Sequence, residues 1–343
     1  MIPASPLFSQ IFPTRSVDQV PRWQQLWRES ITDPVELLRL LGLEAHAPSL
    51  LAAADTGFAV RVPRGFVARM RHGDATDPLL LQVMPGTNEL LDAPGFSTDA
   101  VGDLDARTAP GVLHKYAGRA LLIATGSCAI NCRYCFRRHF PYAEETAAAS
   151  HWRAAIDHLA ADSSISEVIL SGGDPLSLST PKLAELTEAL AGIAHVRRLR
   201  IHSRLPIVLP ERVDHDLLAW LERLPMQKII VVHANHANEI DGSVACACAD
   251  LARAGVTLLN QSVLLRHIND SVNALVELSE RLFACSILPY YLHQLDRVQG
   301  AAHFEVDDQT AIALVEGMRD RLPGYLVPRL VRETAGAASK RPV

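Results

Sequence analysis

The chain has 343 residues, 48% hydrophobic and 21% charged, and its 33 Lys and Arg against 38 Asp and Glu leave a formal net charge of −5. That length suits two or three domains, or one large α/β domain with an attached subdomain, and can bury a core without disulfides. The acidic balance argues against a nucleic-acid partner, and no run of about 18 apolar residues is present to span a membrane. The first residues, MIPASPLFSQIFPTRSVDQV, carry neither the basic head nor the apolar core of a secretory signal, so a cytoplasmic location is expected.

Residues 1–110 read as a mostly helical N-terminal subdomain. Apolar residues recur at helical spacing in residues 23–43 (Leu26, Trp27, Leu37, Leu38, Leu41), and Asp33-Pro34 marks a helix start within them. Turn-rich connections follow, at Pro63-Arg64-Gly65, His72-Gly73-Asp74 and Ala93-Pro94-Gly95. No catalytic pattern stands out in this part.

The pattern then becomes regular over residues 111–322. Short apolar, β-branched runs at residues 120–124, 167–171, 199–202, 228–233, 256–261 and 287–293 alternate with segments of helical periodicity. Most steps are about 30 residues long, the rhythm of βα units with parallel strands. Six units are fewer than the eight of a closed TIM barrel, which leaves an open doubly wound sheet or a partial barrel. No Gly-x-Gly-x-x-Gly follows the first strand, so a dinucleotide-binding fold loses its main support. Residues 323–343 form a C-terminal segment.

Sites in parallel α/β sheets form at the carboxyl ends of strands. Here those ends read Thr125-Gly126-Ser127-Cys128, Ser171-Gly172-Gly173-Asp174, His202-Ser203-Arg204, His233-Ala234-Asn235-His236, Asn260-Gln261-Ser262 and Gln294-Leu295-Asp296-Arg297. Any one of these could simply cap a helix or satisfy a loop backbone. Six together imply a polar site in one mouth.

Six cysteines are too sparse for a secreted disulfide scaffold, and three of them cluster as Cys128-x3-Cys132-x2-Cys135 just after the first strand. Three thiolates on one loop can each hold one iron of a [4Fe–4S] cluster and leave the fourth iron open. A zinc site with His139 as fourth ligand, and three unrelated buried thiols, are the competing readings. Cys246, Cys248 and Cys285 read as ordinary small residues.

Cys-x3-Cys-x-aromatic-Cys after the first strand of a βα array resembles the radical S-adenosylmethionine (SAM) superfamily, whose fold is a partial (β/α)6 barrel. The resemblance implies that SAM chelates the open iron and that Ser171, Gly172, Gly173 and Asp174 form the glycine motif that meets its amino group. The stretches CRYCFRRHF, LSGGDPL, HSRLPIVLPERV, LNQSVLLRHIND and LPYYLHQLD, with a lysine near the end of the chain, resemble the lysine 2,3-aminomutase family over roughly residues 60–343. That family also uses pyridoxal 5′-phosphate (PLP) held as a Schiff base, which implies Lys340 as its anchor. By the same resemblance a 5′-deoxyadenosyl radical starts the migration of an amino group between the two carbons next to the carboxylate of lysine.

The resemblance further implies that Arg137 pairs with the substrate carboxylate, and that Asp296 and Glu333 hold the ε-ammonium. Glu333 stands where familiar members have Asp. His202, Arg204, His233 and Gln261 are expected to touch SAM or PLP. The short form, without an extension beyond the lysine, resembles the branch that makes (R)-β-lysine for elongation factor P, together with a β-lysine ligase. An external electron donor such as flavodoxin is implied as well. Two other readings stand: an aminomutase for another amino acid such as glutamate, and a non-catalytic Fe–S or zinc binding protein.

Overall fold

The computed structural model describes residues 20–47, 58–145 and 152–343. The readings of residues 1–19 and 48–57, including the signal-free start, lie outside the described residues. One ten-stranded sheet runs in strict sequence order. β1 (Arg107–Ala109), β2 (Val112–Tyr116) and β3 (Arg119–Thr125) form an antiparallel meander at one edge. From β3 on, β4 (Glu167–Gly172), β5 (Arg198–Ser203), β6 (Gln227–Val232), β7 (Thr257–Val263), β8 (Leu288–His293) and β9 (Arg329–Arg332) are all parallel. β10 (Arg341–Pro342) turns back antiparallel on β9.

The helices α1 (Arg22–Arg28) and α2 (Pro34–Leu40) precede the sheet. The strands of the array are joined by α3 (Arg153–Ala161), α4 (Thr180–Ala191), α5 (His215–Arg223), α6 (Gly242–Arg253), α7 (Val272–Ala284) and α8 (Asp308–Arg319). A sheet whose order never reverses sends every crossover the same way. Right-handed crossovers then put every helix on one face, so the sheet curls into a barrel wall. β1 and β10 at its two ends are not hydrogen-bonded to each other, so the wall is a partial barrel of six βα units. The seventh parallel strand, β9, was not legible as a strand, because RLVR is only four residues and carries an Arg at each end.

Local chemistry explains the elements. β4 is buried almost throughout, with Val168, Ile169 and Leu170 at its centre, as a strand covered on both faces must be. β5 alternates, so Leu199 and Ile201 pack outward under the helices while Arg198, Arg200 and His202 share the opposite, barrel-facing side. Asp214, Asp241, Ser271 and Asp307 each accept a backbone N–H at the start of a helix.

The N-terminal segment does not build a separate core. Trp23, Leu37, Leu38, Phe66, Leu79 and Leu80 join the same buried cluster as the barrel's Leu183, Leu217 and Ile230. Trp23 stacks on Trp27, with ring centroids 5.9 Å apart, and the buried Arg212 guanidinium lies 4.6 Å over the Trp23 ring.

Candidate functional site

The cysteine loop leaves β3 and is pressed against the end of β4. Gly172 has φ +108°, a conformation that side chains resist. A Cβ on Gly173 would sit 2.6 Å from the Ser127 carbonyl oxygen, so only glycine lets the two backbones meet. The Gly173 N–H donates to Thr125 O at 2.7 Å and the Asp174 N–H to Ser127 O at 2.8 Å. The Asp174 carboxylate turns away and accepts from Ser203 Oγ at 2.7 Å and from the Leu176, Arg204 and Leu205 N–H groups. Its role here is to tie β4, β5 and the loop together.

Burial pushes the Cys128 thiol well up and the Cys135 thiol to about 11. Thiolates at these positions therefore need a cation, and iron is one. Among the described residues no three Cys, His, Asp or Glu side chains converge as a single ion requires. A cluster takes each thiolate on a separate iron, so the three-cysteine loop fits it. His139 Nε2 lies 3.3 Å from the Gln299 carbonyl oxygen.

Arg204, expected at SAM or PLP, reaches the cysteine loop. Its Nη1 donates to Cys132 Sγ at 2.7 Å, and its Nη2 to Gln82 Oε1 at 2.7 Å and to Glu239 Oε2 at 2.9 Å. Asn235 donates to Tyr134 Oη at 2.7 Å and to Gln82 Oε1 at 3.0 Å. Gln82, Glu239 and Asn235 are fully buried, so this network holds the loop from below. A glutamine in the N-terminal segment gave no signal of this role in one dimension.

A second cluster gathers where the two ends of the sheet approach. Arg137, expected at a carboxylate, donates from Nε to Asp103 Oδ2 at 2.7 Å and from Nη1 to Ser171 Oγ at 3.1 Å. Asp103 also pairs with Lys115 Nζ at 2.6 Å. Burial would raise the Asp103 carboxyl, but Arg137 and Lys115 outweigh it and hold it below the usual range. Lys340 Nζ donates to Glu333 Oε2 at 2.6 Å, Tyr116 Oη donates to Glu333 Oε1 at 2.5 Å, and Lys115 Nζ lies 3.7 Å from Glu333. The same partners hold the Glu333 carboxyl low against its burial. Asp103 and Tyr116 gave no signal in the sequence, and Lys115, set aside there as a cofactor anchor, lies near the end of β2, where it reaches both Asp103 and Glu333.

Asp296 differs. Its Oδ1 is buried with no hydrogen-bond partner, and burial pushes the carboxyl up to about 7 although Lys340 opposes the shift. A cavity of about 600 Å³ is lined by Asp296, Glu333 and the Arg332 and Asp308 pair, among others. His202 and His293 each carry an unpartnered buried Nε2, and burial keeps both imidazoles neutral well below their usual range. His233, near Tyr134 with Nε2 3.5 Å from its hydroxyl, is lowered to about 3, chiefly by burial. Gln261 lies on β7, half-buried. Unpaired carboxylate and imidazole atoms around a lysine on one side, and three thiols on one loop on the other, fit an amino acid, PLP and a cluster.

A family model described as a 4Fe–4S single cluster domain matches residues 117–198. The chain is 49% identical to the L-lysine 2,3-aminomutase of Escherichia coli, over 94% of both chains. It is 46% identical to the Haemophilus influenzae enzyme of the same name, over 93% of this chain and 94% of that one. With that of Clostridium subterminale the identity is 34%, over 94% of this chain and 77% of the relative. A solved radical SAM methyltransferase from Sphaerobacter thermophilus is similar over 64% of this chain and 68% of that chain, with TM-score 0.45 and 17% identity. Among the described residues no helix is long and apolar enough to cross a membrane. The chain therefore belongs to the lysine 2,3-aminomutases, radical SAM isomerases that work with a [4Fe–4S] cluster, SAM and PLP.

Proposed function

We propose that this aminomutase converts L-α-lysine to (R)-β-lysine, and that the product serves modification of elongation factor P through a β-lysine ligase. The observation that carries the substrate reading is the acidic pair, Asp296 and Glu333, set beside Lys340 with Arg137 across the mouth. Two carboxylates suit a cationic side chain, and a guanidinium suits the carboxylate of an amino acid. A glutamate substrate would place a third negative charge against them.

Cys128, Cys132 and Cys135 would hold the cluster, the Gly172-Gly173 backbone would border SAM, and Lys340 would anchor PLP. When bound, these groups supply the radical and the electron delocalisation that amino migration needs. The chain's own contribution is placement. Arg137 is held by Asp103, Glu333 by Tyr116, and Lys340 is presented by the β9–β10 hairpin. The buried mouth keeps water from the reacting carbons. Reduction by an external donor of the flavodoxin type, and a cytoplasmic location, complete the proposal.

The experiment is anaerobic turnover of L-lysine with chiral analysis of the product, followed by mass analysis of elongation factor P from cells with and without the gene. (R)-β-lysine and a β-lysyl mass increment that needs the gene are expected. The S isomer, or a factor modified equally in both strains, would refute the proposal.

A further inference from the structure

His293 closes β8 on the same strand as Tyr291, and the two rings meet edge to face with centroids 5.5 Å apart. Tyr291 in turn lies under Lys340, whose Nζ is 5.9 Å from its ring centroid. His293 is only 7% exposed, yet its Nε2 has no partner. His202, on the barrel-facing side of β5, shows the same orphaned Nε2. A fold keeps a buried unpaired nitrogen when another group completes it.

The chemistry of that group can be narrowed. A neutral imidazole has one N–H and one lone pair. The neighbouring cation, Lys340, is paired with Glu333, and among the described residues no donor reaches the His293 Nε2. An N–H at Nε2 needs an acceptor oxygen instead. We infer that His293 donates from Nε2 to an anionic oxygen of the PLP anchored at Lys340, the phosphate or the phenolate, with His202 as a second contact. This rests on the reading of Lys340 as the anchor.

The test measures PLP affinity by absorbance on anaerobically prepared, cluster-containing protein for wild type, His293→Gln and His293→Leu. The Leu variant should bind PLP at least about tenfold more weakly, the cost of losing a donor to a charged acceptor. The Gln variant, which keeps an N–H, should stay within about threefold. The ³¹P shift of bound PLP should move in His293→Leu if the acceptor is the phosphate, and the imine band if it is the phenolate. Unchanged affinity and spectra in His293→Leu, or a loss confined to SAM binding, overturns the inference. Iron content checks the fold. Should the Leu variant lose its cluster, ¹⁵N-histidine spectra of the wild type decide: the His293 Nε2 signal moves on adding PLP, and an unmoved signal overturns the inference. Borohydride trapping separates the two readings. PLP trapped on Lys340 with His293 silent defeats only this inference, whereas PLP trapped on another lysine defeats both.

Discussion

Lys340 and Glu333 face each other across the β9–β10 hairpin, ammonium to carboxylate at 2.6 Å. The carboxylate expected to receive the substrate's ammonium is thus occupied by the lysine expected to carry the cofactor. Tyr116, from the far side of the sheet, holds its other oxygen. Glu333 is therefore a residue through which the two ends of the open barrel touch.

Replacing Lys340 by Ala should abolish the imine band while leaving iron and sulfide contents near wild type, because no cysteine contact passes through the hairpin. Borohydride reduction and peptide mapping check it; PLP found on Lys115, Lys182 or Lys228 would show a different anchor.

Cys132→Ala should remove the cluster. It deletes one thiolate and also the sulfur that accepts from Arg204. Iron and sulfide assays on anaerobically purified protein should fall to background, and retained turnover would contradict the assignment.

Gly173→Ala should disturb the same loop from the other side. The new methyl would meet the Ser127 carbonyl at 2.6 Å and the Gly126 carbonyl carbon at 2.7 Å, both backbone atoms that cannot swing aside. Iron content should drop severalfold although no ligand is changed. Wild-type iron content would mean the loop has room to yield.

Asp103→Ala should destabilise the fold by about 3–5 kcal/mol, because it leaves the buried Arg137 without its carboxylate. Denaturant unfolding measures it. Lysine affinity should fall as well, since the Arg137 fork loses its support. A neutral effect on both would remove Asp103 from the site.

Asp296 should give lysine binding a pH step. Its carboxyl is raised to about 7 in the folded protein, against about 3.9 in an unfolded chain. The folded state therefore binds the extra proton between these values, and stability falls as pH rises from about 4 to about 7. Binding of a cationic side chain needs the ionised form, so lysine affinity should rise as pH passes about 7. Asp296→Asn should flatten both trends and weaken lysine at least about tenfold. Calorimetry across that range decides, and an unchanged profile in the variant would sink the role of Asp296.

Much of this protein was legible in one dimension because its signals are local. Strand runs and helical periodicity repeat along the chain, and the cysteine spacing lies within a single loop. The Gly172-Gly173 pair is a backbone requirement, and such requirements leave glycines where nothing else fits. Only the tertiary structure decided which charges meet. Asp103 finds Arg137, Gln82 finds Arg204, and Tyr116 finds Glu333 across the open barrel. These partners are remote in sequence, and a surface pair and a buried pair look alike until folding removes the water between them. Burial, which raises Asp296 and leaves His293 with an unpaired nitrogen, is a property of the packed mouth and of no segment alone.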